Sequence, residues 1–317
     1  MILVCGEALM DVFAAGPTPT GLTLDARVGG SPFNVAVGLA RLLQPVAFLA
    51  AISTGFLGER LMAALQAEGV NTSAIARTAA PTTLSLVGLN AGGVPAYSFY
   101  GEGGADRQLQ PSALAALLAL PAPVQAIHVG SYTAVVEPFA STLRELVARE
   151  CRRCLIAYDP NIRLNVEPDL MLWREHVAWM LPRTHLLKIS DEDLALLQPG
   201  VAPAVFAAHA LAQGVTWVVV TRGGEGAQAW CVQGEVQVAS SQVAVVDTVG
   251  AGDSFQAALL TWLAEHQALS ADALAALGLQ ALEQAVVFAG AAAAITCARR
   301  GADLPRRREL ADSLRRN

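Results

Sequence analysis

The strongest signal in the sequence is the stretch Asp247-Thr248-Val249-Gly250-Ala251-Gly252-Asp253-Ser254-Phe255. Its small residues form a turn that runs directly into an apolar-periodic helix, predicted from Asp253 to Glu265. Gly250, Ala251 and Gly252 leave backbone N–H groups uncovered at the start of that helix, and such a start suits an anion. Asp253 is placed to take a proton from a hydroxyl held beside the anion. Taken alone, the stretch also fits a capping aspartate after a glycine turn.

The segments that precede this stretch alternate between short apolar runs and amphipathic runs. The apolar runs predict buried strands at 2–5, 46–52, 126–129, 155–159, 186–189 and 215–221. Helices are predicted at 31–43, 58–68, 138–150, 172–180, 203–213 and 282–297, the first of them capped by Ser31 with Pro32 as its first residue. The pattern predicts an α/β fold with a mainly parallel central sheet and helices on both faces.

Two segments, about 12–28 and 82–104, interrupt that alternation and are rich in Gly, Pro and Thr. They predict antiparallel strands with hairpin turns, of which Asn90-Ala91-Gly92-Gly93 is the clearest. We expect a small sheet that projects as a lid over a site, inserted in a single domain spanning residues 1–317. Two unrelated edge hairpins are the alternative.

Composition excludes several classes of protein. The chain has 317 residues, of which 54% are hydrophobic and 15% charged, so it is not disordered. Lys188 is its single lysine and is followed by Ile-Ser, which excludes the Gly-Lys-Ser/Thr of an ordinary phosphate-binding P-loop. The net charge of −6 argues against a nucleic-acid partner, despite arginine clusters at 306–308 and 315–316.

The cysteines and the apolar segments indicate a cytoplasmic protein without a membrane partner. Five scattered cysteines suit a reducing compartment, and the apolar run from Ala285 to Ala298 is too short to span a bilayer. Cys151 and Cys154 form one C-x-x-C, but zinc would need a second pair. Two ordinary thiols are favoured there over a redox pair.

A second motif lies near the amino terminus: Gly29-Gly30-Ser31-Pro32-Phe33-Asn34-Val35-Ala36. In order and spacing, the two motifs resemble the signatures of the ribokinase-like (PfkB) family of carbohydrate kinases, and the resemblance spans almost the whole chain. Segments similar to the fructokinase-like branch include 6–11, 97–100, 159–163 and 188–193. The resemblance implies a ribokinase-like fold and ATP-dependent phosphorylation of a small sugar, above all fructose to fructose 6-phosphate.

The resemblance also assigns roles to residues on the sugar side. Asp253 matches the catalytic base, and the N–H groups of Gly250, Ala251 and Gly252 match the anion hole. The positions that would contact the substrate are Asp11, Gly30, Asn34, Tyr100 and Arg163.

On the nucleotide side, the glycine turn Thr221-Arg222-Gly223-Gly224-Glu225-Gly226 resembles the loop that wraps ATP. Lys188 would lie near the phosphates, and Mg²⁺ would be held through waters by Glu192 and Asp193. Positions that hold a monovalent cation in the family, K⁺ above all, are matched by Asp247, Val249 and Gly301.

Three departures from the family pattern bear on these expectations. Asp193 is one methylene shorter than the usual glutamate, Gly55 replaces an aspartate, and Gly101 replaces an arginine. The last change argues mildly against 2-keto-3-deoxygluconate.

That sugar, ribose or a nucleoside remain alternative substrates, and a binding protein without catalysis is an alternative class. A dinucleotide oxidoreductase is disfavoured because no G-x-G-x-x-G follows the first strand. We expect a homodimer formed through the lid.

Overall fold

The computed structural model describes residues 1–89 and 95–315, so the predicted turn at 90–93 and Arg316 lie outside the described residues. The helices are α1 Ser31–Arg41, α2 Phe56–Ala67, α3 Phe139–Glu150, α4 Leu170–Met180, α5 Asp191–Leu197, α6 Pro203–Ala212, α7 Ala251–Glu265, α8 Ala271–Ala275, α9 Leu279–Cys297 and α10 Arg307–Leu314. The strands are β1 Ile2–Cys5, β2 Leu9–Thr18, β3 Gly21–Gly29, β4 Val46–Ser53, β5 Ile75–Thr78, β6 Leu84–Leu89, β7 Pro95–Tyr100, β8 Ala126–Gly130, β9 Leu155–Asp159, β10 Leu186–Ser190, β11 Trp217–Thr221, β12 Ala227–Cys231 and β13 Gly234–Val238.

The main sheet contains nine of these strands, in the order β13-β12-β11-β10-β9-β8-β1-β4-β5. The strands from β11 to β5 in that order are parallel, whereas β12 and β13 pair antiparallel at one edge. The predicted mainly parallel sheet is confirmed. The carboxyl ends of its strands meet at one edge, where α/β folds bind their ligands.

Two hydrophobic cores lie on the two faces of this sheet. Helices α1, α2, α7 and α9 cover one face, with Phe33 in the core beneath them. Helices α3 to α6 cover the other face, with Trp173 fully buried. Side chains of β1 alternate between the cores, since Ile2 belongs to the first and Leu3 to the second. Both faces are therefore closed to water, and the edge of the sheet remains for chemistry.

The smaller sheet has the strand order β3-β2-β6-β7. Both of its hairpins are antiparallel, and the parallel pair β2 and β6 joins them into one sheet rather than two edge hairpins. Strand β2 begins at Leu9, whereas the sequence predicts that the lid begins near residue 12. The register places Asp11, Ser85 and Phe99 in one row on one face, and the adjacent Tyr100 on the opposite face.

Among the described residues, helix α9 has the length and hydropathy of a membrane span. Half of it is buried inside the protein, where it packs against α7, β12 and β13. Such burial is typical of a core helix of a globular protein.

Candidate active site

Helices α1 and α7 pack against each other, and the first residues of α1 lie beside Asp253, in the first turn of α7. Each follows a glycine with positive φ, Gly30 at 106° and Gly250 at 77°. The prediction that Ser31 caps α1 is wrong: Gly30 is the N-cap, and the Ser31 hydroxyl donates to Asp253 Oδ1 at 2.6 Å. Asn34 Nδ2 donates to Asp253 Oδ2 at 2.8 Å. Both carboxylate oxygens are thereby fixed at the meeting point of the two helices.

Burial and hydrogen bonding act on Asp253 in opposite directions. Only 8% of the residue is exposed, and this burial raises the pKa of its carboxyl above the usual range. The hydrogen bonds from Ser31 and Asn34, and the charges of Lys188 and Arg163, lower that pKa in part. An ionised carboxylate with a raised pKa is a better proton acceptor than an ordinary aspartate, and this suits Asp253 to general-base work.

Asp11 lies on β2 directly against Gly29, where a Cβ would overlap its carboxylate. A Cβ on Gly30 would come within 2.8 Å of the backbone oxygen of Glu7, so the backbone at this point is closely packed. Burial raises the pKa of the Asp11 carboxyl, and the negative charge of Asp253 raises it further. The structure therefore places Asp11 and Asp253 within electrostatic range of each other.

Arg163 is the cation shared by the acidic groups of this region. Its charge lowers the pKa of Asp11, Asp193 and Asp253, and its Nη1 donates to the Ile162 carbonyl at 3.0 Å. The arginine itself is exposed. It is thus available to an anionic ligand.

Lys188 forms a buried ion pair with Asp159, with 2.7 Å between Nζ and Oδ2. Its Nζ also lies beside α7, since a Cβ on Gly252 would be 3.1 Å away from it. Asp193 is buried nearby and Glu192 is exposed. Burial, with the charge of Asp159, raises the pKa of Asp193 to about 6. We call Asp11, Asn34, Asp159, Lys188 and Asp253 the polar crevice.

A cavity of about 300 Å³ lies beside the polar crevice, between the β11–β12 turn and α9. The predicted glycine turn contributes four of its residues and the start of α7 two, and most of the others are small or apolar. We call this space the α9 cavity, and its lining residues are Thr221, Gly223, Gly224, Gly226, Ala227, Val238, Ala239, Ser240, Ser241, Gln242, Val243, Val245, Thr248, Ala251, Gly252, Phe255, Val286, Gly290, Ala293, Ala294 and Cys297. Arg222 and Glu225 form an ion pair with each other and do not line it.

Helix α9 and residues 238–245 also line this cavity, and no motif in the sequence indicates their contribution. The signal in α9 is the run of small residues from Gly290 to Ala294, which reads equally well as helix core. A Cβ placed on Gly290 meets no other atom within 4 Å, because the position faces open space. Small side chains here leave room for a ligand.

The Asp247 carboxylate links Val249 to Gly301, the other two positions predicted to hold a monovalent cation. Its Oδ1 accepts from the Val249 N–H at 3.1 Å, and its Oδ2 accepts from the Gly301 N–H at 2.8 Å. Both segments are thereby brought together, as the resemblance requires. Their carbonyl oxygens are the hard ligands that alkali cations prefer.

For magnesium, no group of three or more acidic, histidine or cysteine side chains forms a cage within residues 1–89 and 95–315. Mg²⁺ usually binds through one or two carboxylates, waters and substrate phosphates, so a cage is not required. Asp159 Oδ1 is buried and has no hydrogen-bond partner in the described structure. This oxygen and Asp193 fit the chemistry of a water-mediated magnesium site.

Tyr100 and the departures at 55 and 101 lie outside the polar crevice. Tyr100 is 62% exposed, on the face of the lid opposite Asp11. Gly101 has no room for a side chain, because a Cβ would lie 2.5 Å from Phe99 Cε1. Gly55 is the N-cap of α2, where its N–H donates to the Ser53 hydroxyl.

The C-x-x-C pair is formed by free thiols. Cys154 is buried, and burial raises the pKa of its thiol. A reactive cysteine requires a lowered pKa, so the geometry favours structural thiols.

Phosphoryl transfer to a hydroxyl needs a base, charge neutralisation and room for a nucleotide. The polar crevice provides the first two and the α9 cavity the third, so the fold and the site together define a small-molecule kinase.

Comparisons with known proteins agree. The model of the pfkB family of carbohydrate kinases matches residues 1–308. A fructokinase of Rhizobium leguminosarum bv. trifolii is 36% identical over 282 residues, covering 89% of this chain and 85% of its own. The probable fructokinase-6, chloroplastic, of Arabidopsis thaliana is 32% identical over 311 residues, covering 95% and 78%. The crystal structure of fructokinase with bound ATP from Xylella fastidiosa has a TM-score of 0.88 and 26% identity, covering 99% and 98%. This chain belongs to the pfkB family and is a carbohydrate kinase with the ribokinase-like fold.

Proposed function

We propose that this protein transfers the γ-phosphoryl group of ATP to the 6-hydroxyl of fructose, giving fructose 6-phosphate and ADP. The observation that carries the proposal is the position of Asp253, which Ser31 and Asn34 hold at the anion-binding start of α7. The choice of fructose rests on the fructokinase relatives.

In the proposed reaction Asp253 accepts the proton of the sugar hydroxyl. The sugar oxygen forms a bond to the γ-phosphorus, the bond from that phosphorus to the ADP oxygen breaks, and ADP leaves with its electrons. The N–H groups of Gly250, Ala251 and Gly252 stabilise the charge of the transferred group. The raised pKa of Asp253 favours the proton transfer.

The sugar would bind above Asp253, between α1 and the lid. Asp11 accepts hydrogen bonds from its hydroxyls, Gly30 permits close approach of the backbone, and Asn34 contributes its amide. Arg163 neutralises the approaching phosphates. The exposed Tyr100 lies on the lid face opposite Asp11 and would reach the sugar only from that face.

The nucleoside part of ATP would fill the α9 cavity, against the turn from Thr221 to Gly226. Bound Mg²⁺ supplies charge neutralisation on the phosphates. Glu192 and Asp193 would hold its waters, with Asp193 reaching less far than the usual glutamate. A monovalent cation, K⁺ in our proposal, would lie at Asp247, Val249 and Gly301, beside the anion hole.

The proposal extends to assembly and location. The lid face opposite Asp11 exposes Leu22 and Leu24, at 55% and 50%, together with Tyr100. An exposed apolar surface of this kind would be buried against a second copy, and its exposure supports a homodimer. Five free cysteines support a cytoplasmic location, and we propose one domain over residues 1–317 with lid segments at 12–28 and 82–104.

An ADP-release assay over fructose, 2-keto-3-deoxygluconate, ribose and nucleosides tests the substrate, with and without Mg²⁺ and K⁺. We expect turnover with fructose at the highest kcat/KM, loss without Mg²⁺ and a gain with K⁺. A higher kcat/KM for another acceptor would replace fructose, and no turnover with any acceptor would favour a binding protein.

A further inference from the structure

The ion pair between Lys188 and Asp159 lies deep in the sheet. The two residues belong to neighbouring parallel strands, β10 and β9, and their side chains are only 6% and 4% exposed. A buried ion pair is seldom more stabilising than apolar residues of similar volume, because both charges lose their hydration. Stabilisation of the fold therefore does not explain why this ion pair is buried.

The position of the ammonium indicates what the pair does. Lys188 Nζ lies beside Gly252, in the first turn of α7, where the helix already presents positive charge. The ammonium and the positive helix end both attract an anion that is placed between them. The transferred phosphoryl group is the anion that the proposed reaction brings to this point.

Asp159 holds this ammonium without using all of its hydrogen-bond donors. One of the three Nζ donors goes to Asp159 Oδ2, which leaves donors for phosphoryl oxygens. Without the carboxylate, a buried lysine would favour its neutral form or another rotamer. The position of the cation thus depends on Asp159.

We infer that Asp159 is a positioning residue for phosphoryl transfer, and that it holds Lys188 against the transferred group rather than against the rest of the nucleotide. The inference rests on the proposed kinase function and deepens it.

A double-mutant cycle tests the dependence. We expect Lys188→Met to lower kcat at least a hundredfold and Asp159→Asn at least tenfold, with the KM for sugar within threefold of wild type. The inference assigns the effect of Asp159 on kcat to Lys188, so at saturating Mg²⁺ the double variant should match Lys188→Met. Asp272→Asn, an exposed carboxylate on α8 outside the site, is the matched control and should leave kcat unchanged. Additive losses would overturn the inference.

A second measurement reports the lysine itself. Since Lys188 is the only lysine, [15N]lysine labelling gives one Nζ signal by NMR. We expect a slowly exchanging ammonium signal in the wild type and its loss in Asp159→Asn. Magnesium, ADP and aluminium fluoride, which mimic the transferred group, should shift the signal more than magnesium and ADP alone. An equal shift would place Lys188 on the nucleotide and contradict the inference.

These outcomes separate the inference from the proposed function. If the wild type turns over no sugar, the kinase proposal fails, while the Nζ signal still tests the ion pair. If Asp159→Asn does not fold, Lys188→Met carries the test. A variant of Lys188 that raises only the KM for ATP at unchanged kcat would contradict the inference, and Lys188→Arg should restore part of kcat.

Discussion

The polar crevice and the α9 cavity lie side by side at the edge of one sheet, and they are built in opposite ways. In the crevice, charged groups are buried and held by short hydrogen bonds, as Asp253 is by Ser31 and Asn34. The α9 cavity is lined by small and apolar residues around open space. The first region therefore fixes atoms for a reaction, whereas the second selects a ligand by shape. Substitutions of Asp253, Asp159 or Lys188 in the crevice should lower kcat, and those in the cavity should raise the KM for ATP.

The largest effect is expected for Asp253→Asn. Loss of the proton acceptor should lower kcat about 10³-fold, while the sugar KM changes little, because a general base acts mainly in the transition state. Steady-state kinetics with fructose measure both constants. Asp272→Asn, an exposed carboxylate on α8, is the control. Turnover near that of the wild type would show that Asp253 is not the catalytic base.

The next effect concerns the groups that hold Asp253. A hydrogen bond to the ionised carboxylate lowers its pKa, so Ser31→Ala should raise that pKa. The acidic limb of log(kcat/KM) against pH then moves to higher pH, and kcat falls about tenfold at its plateau. The control is Ser141→Ala, whose hydroxyl donates to the Glu137 carboxylate on the surface. An acidic limb that stays in place would show that Ser31 does not tune the base.

In the α9 cavity, Gly290→Leu should raise the KM for ATP about tenfold by filling ligand space, with kcat unchanged at saturation. Gly290→Ala is the matched control, since its Cβ has room and should stabilise the helix by about 0.5–1 kcal/mol. Steady-state kinetics and thermal melts separate the two effects. A large fall in kcat for Gly290→Leu would mean that the cavity also positions the reacting atoms.

The smallest effect on turnover is expected at Glu7, which packs against Gly30 and whose substitution should change stability instead. Complete burial raises the pKa of Glu7 from 4.5 to about 7. The folded state therefore binds the proton more tightly than the unfolded state, and stability is lost as pH rises through this range, by about 3 kcal/mol. Glu7→Gln should abolish this part of the pH dependence between pH 5 and 8, as measured by denaturant unfolding. An unchanged slope would assign the dependence to other groups.

Sequence alone predicted the residues of the crevice better than their connections. The two glycine motifs predicted Asn34 and Asp253 as site residues, because short motifs retain their local backbone chemistry. The hydrogen bond between them joins positions 219 residues apart, and no local pattern encodes such a contact. Ser31 was expected to cap its own helix, and only the packing of α1 on α7 redirects its hydroxyl.

The same limit applies to pairs on neighbouring strands. Asp159 ends one apolar run and Lys188 interrupts the next, but their ion pair depends on the order of strands in the sheet. The α9 cavity was missed because Gly290 and the alanines after it have the composition of a helix core. Whether small residues face a neighbour or open space is settled by packing and not by composition.

The burial of the single lysine has a practical consequence. A protease specific for lysine can cut this chain only after Lys188, in the middle of β10 and 5% exposed. The peptide bond is inaccessible until the sheet opens, so cleavage into two fragments reports the unfolded population. Pulse proteolysis on a gel would then measure the free energy of unfolding, and its change upon addition of ATP or sugar, without a label or a purified ligand complex.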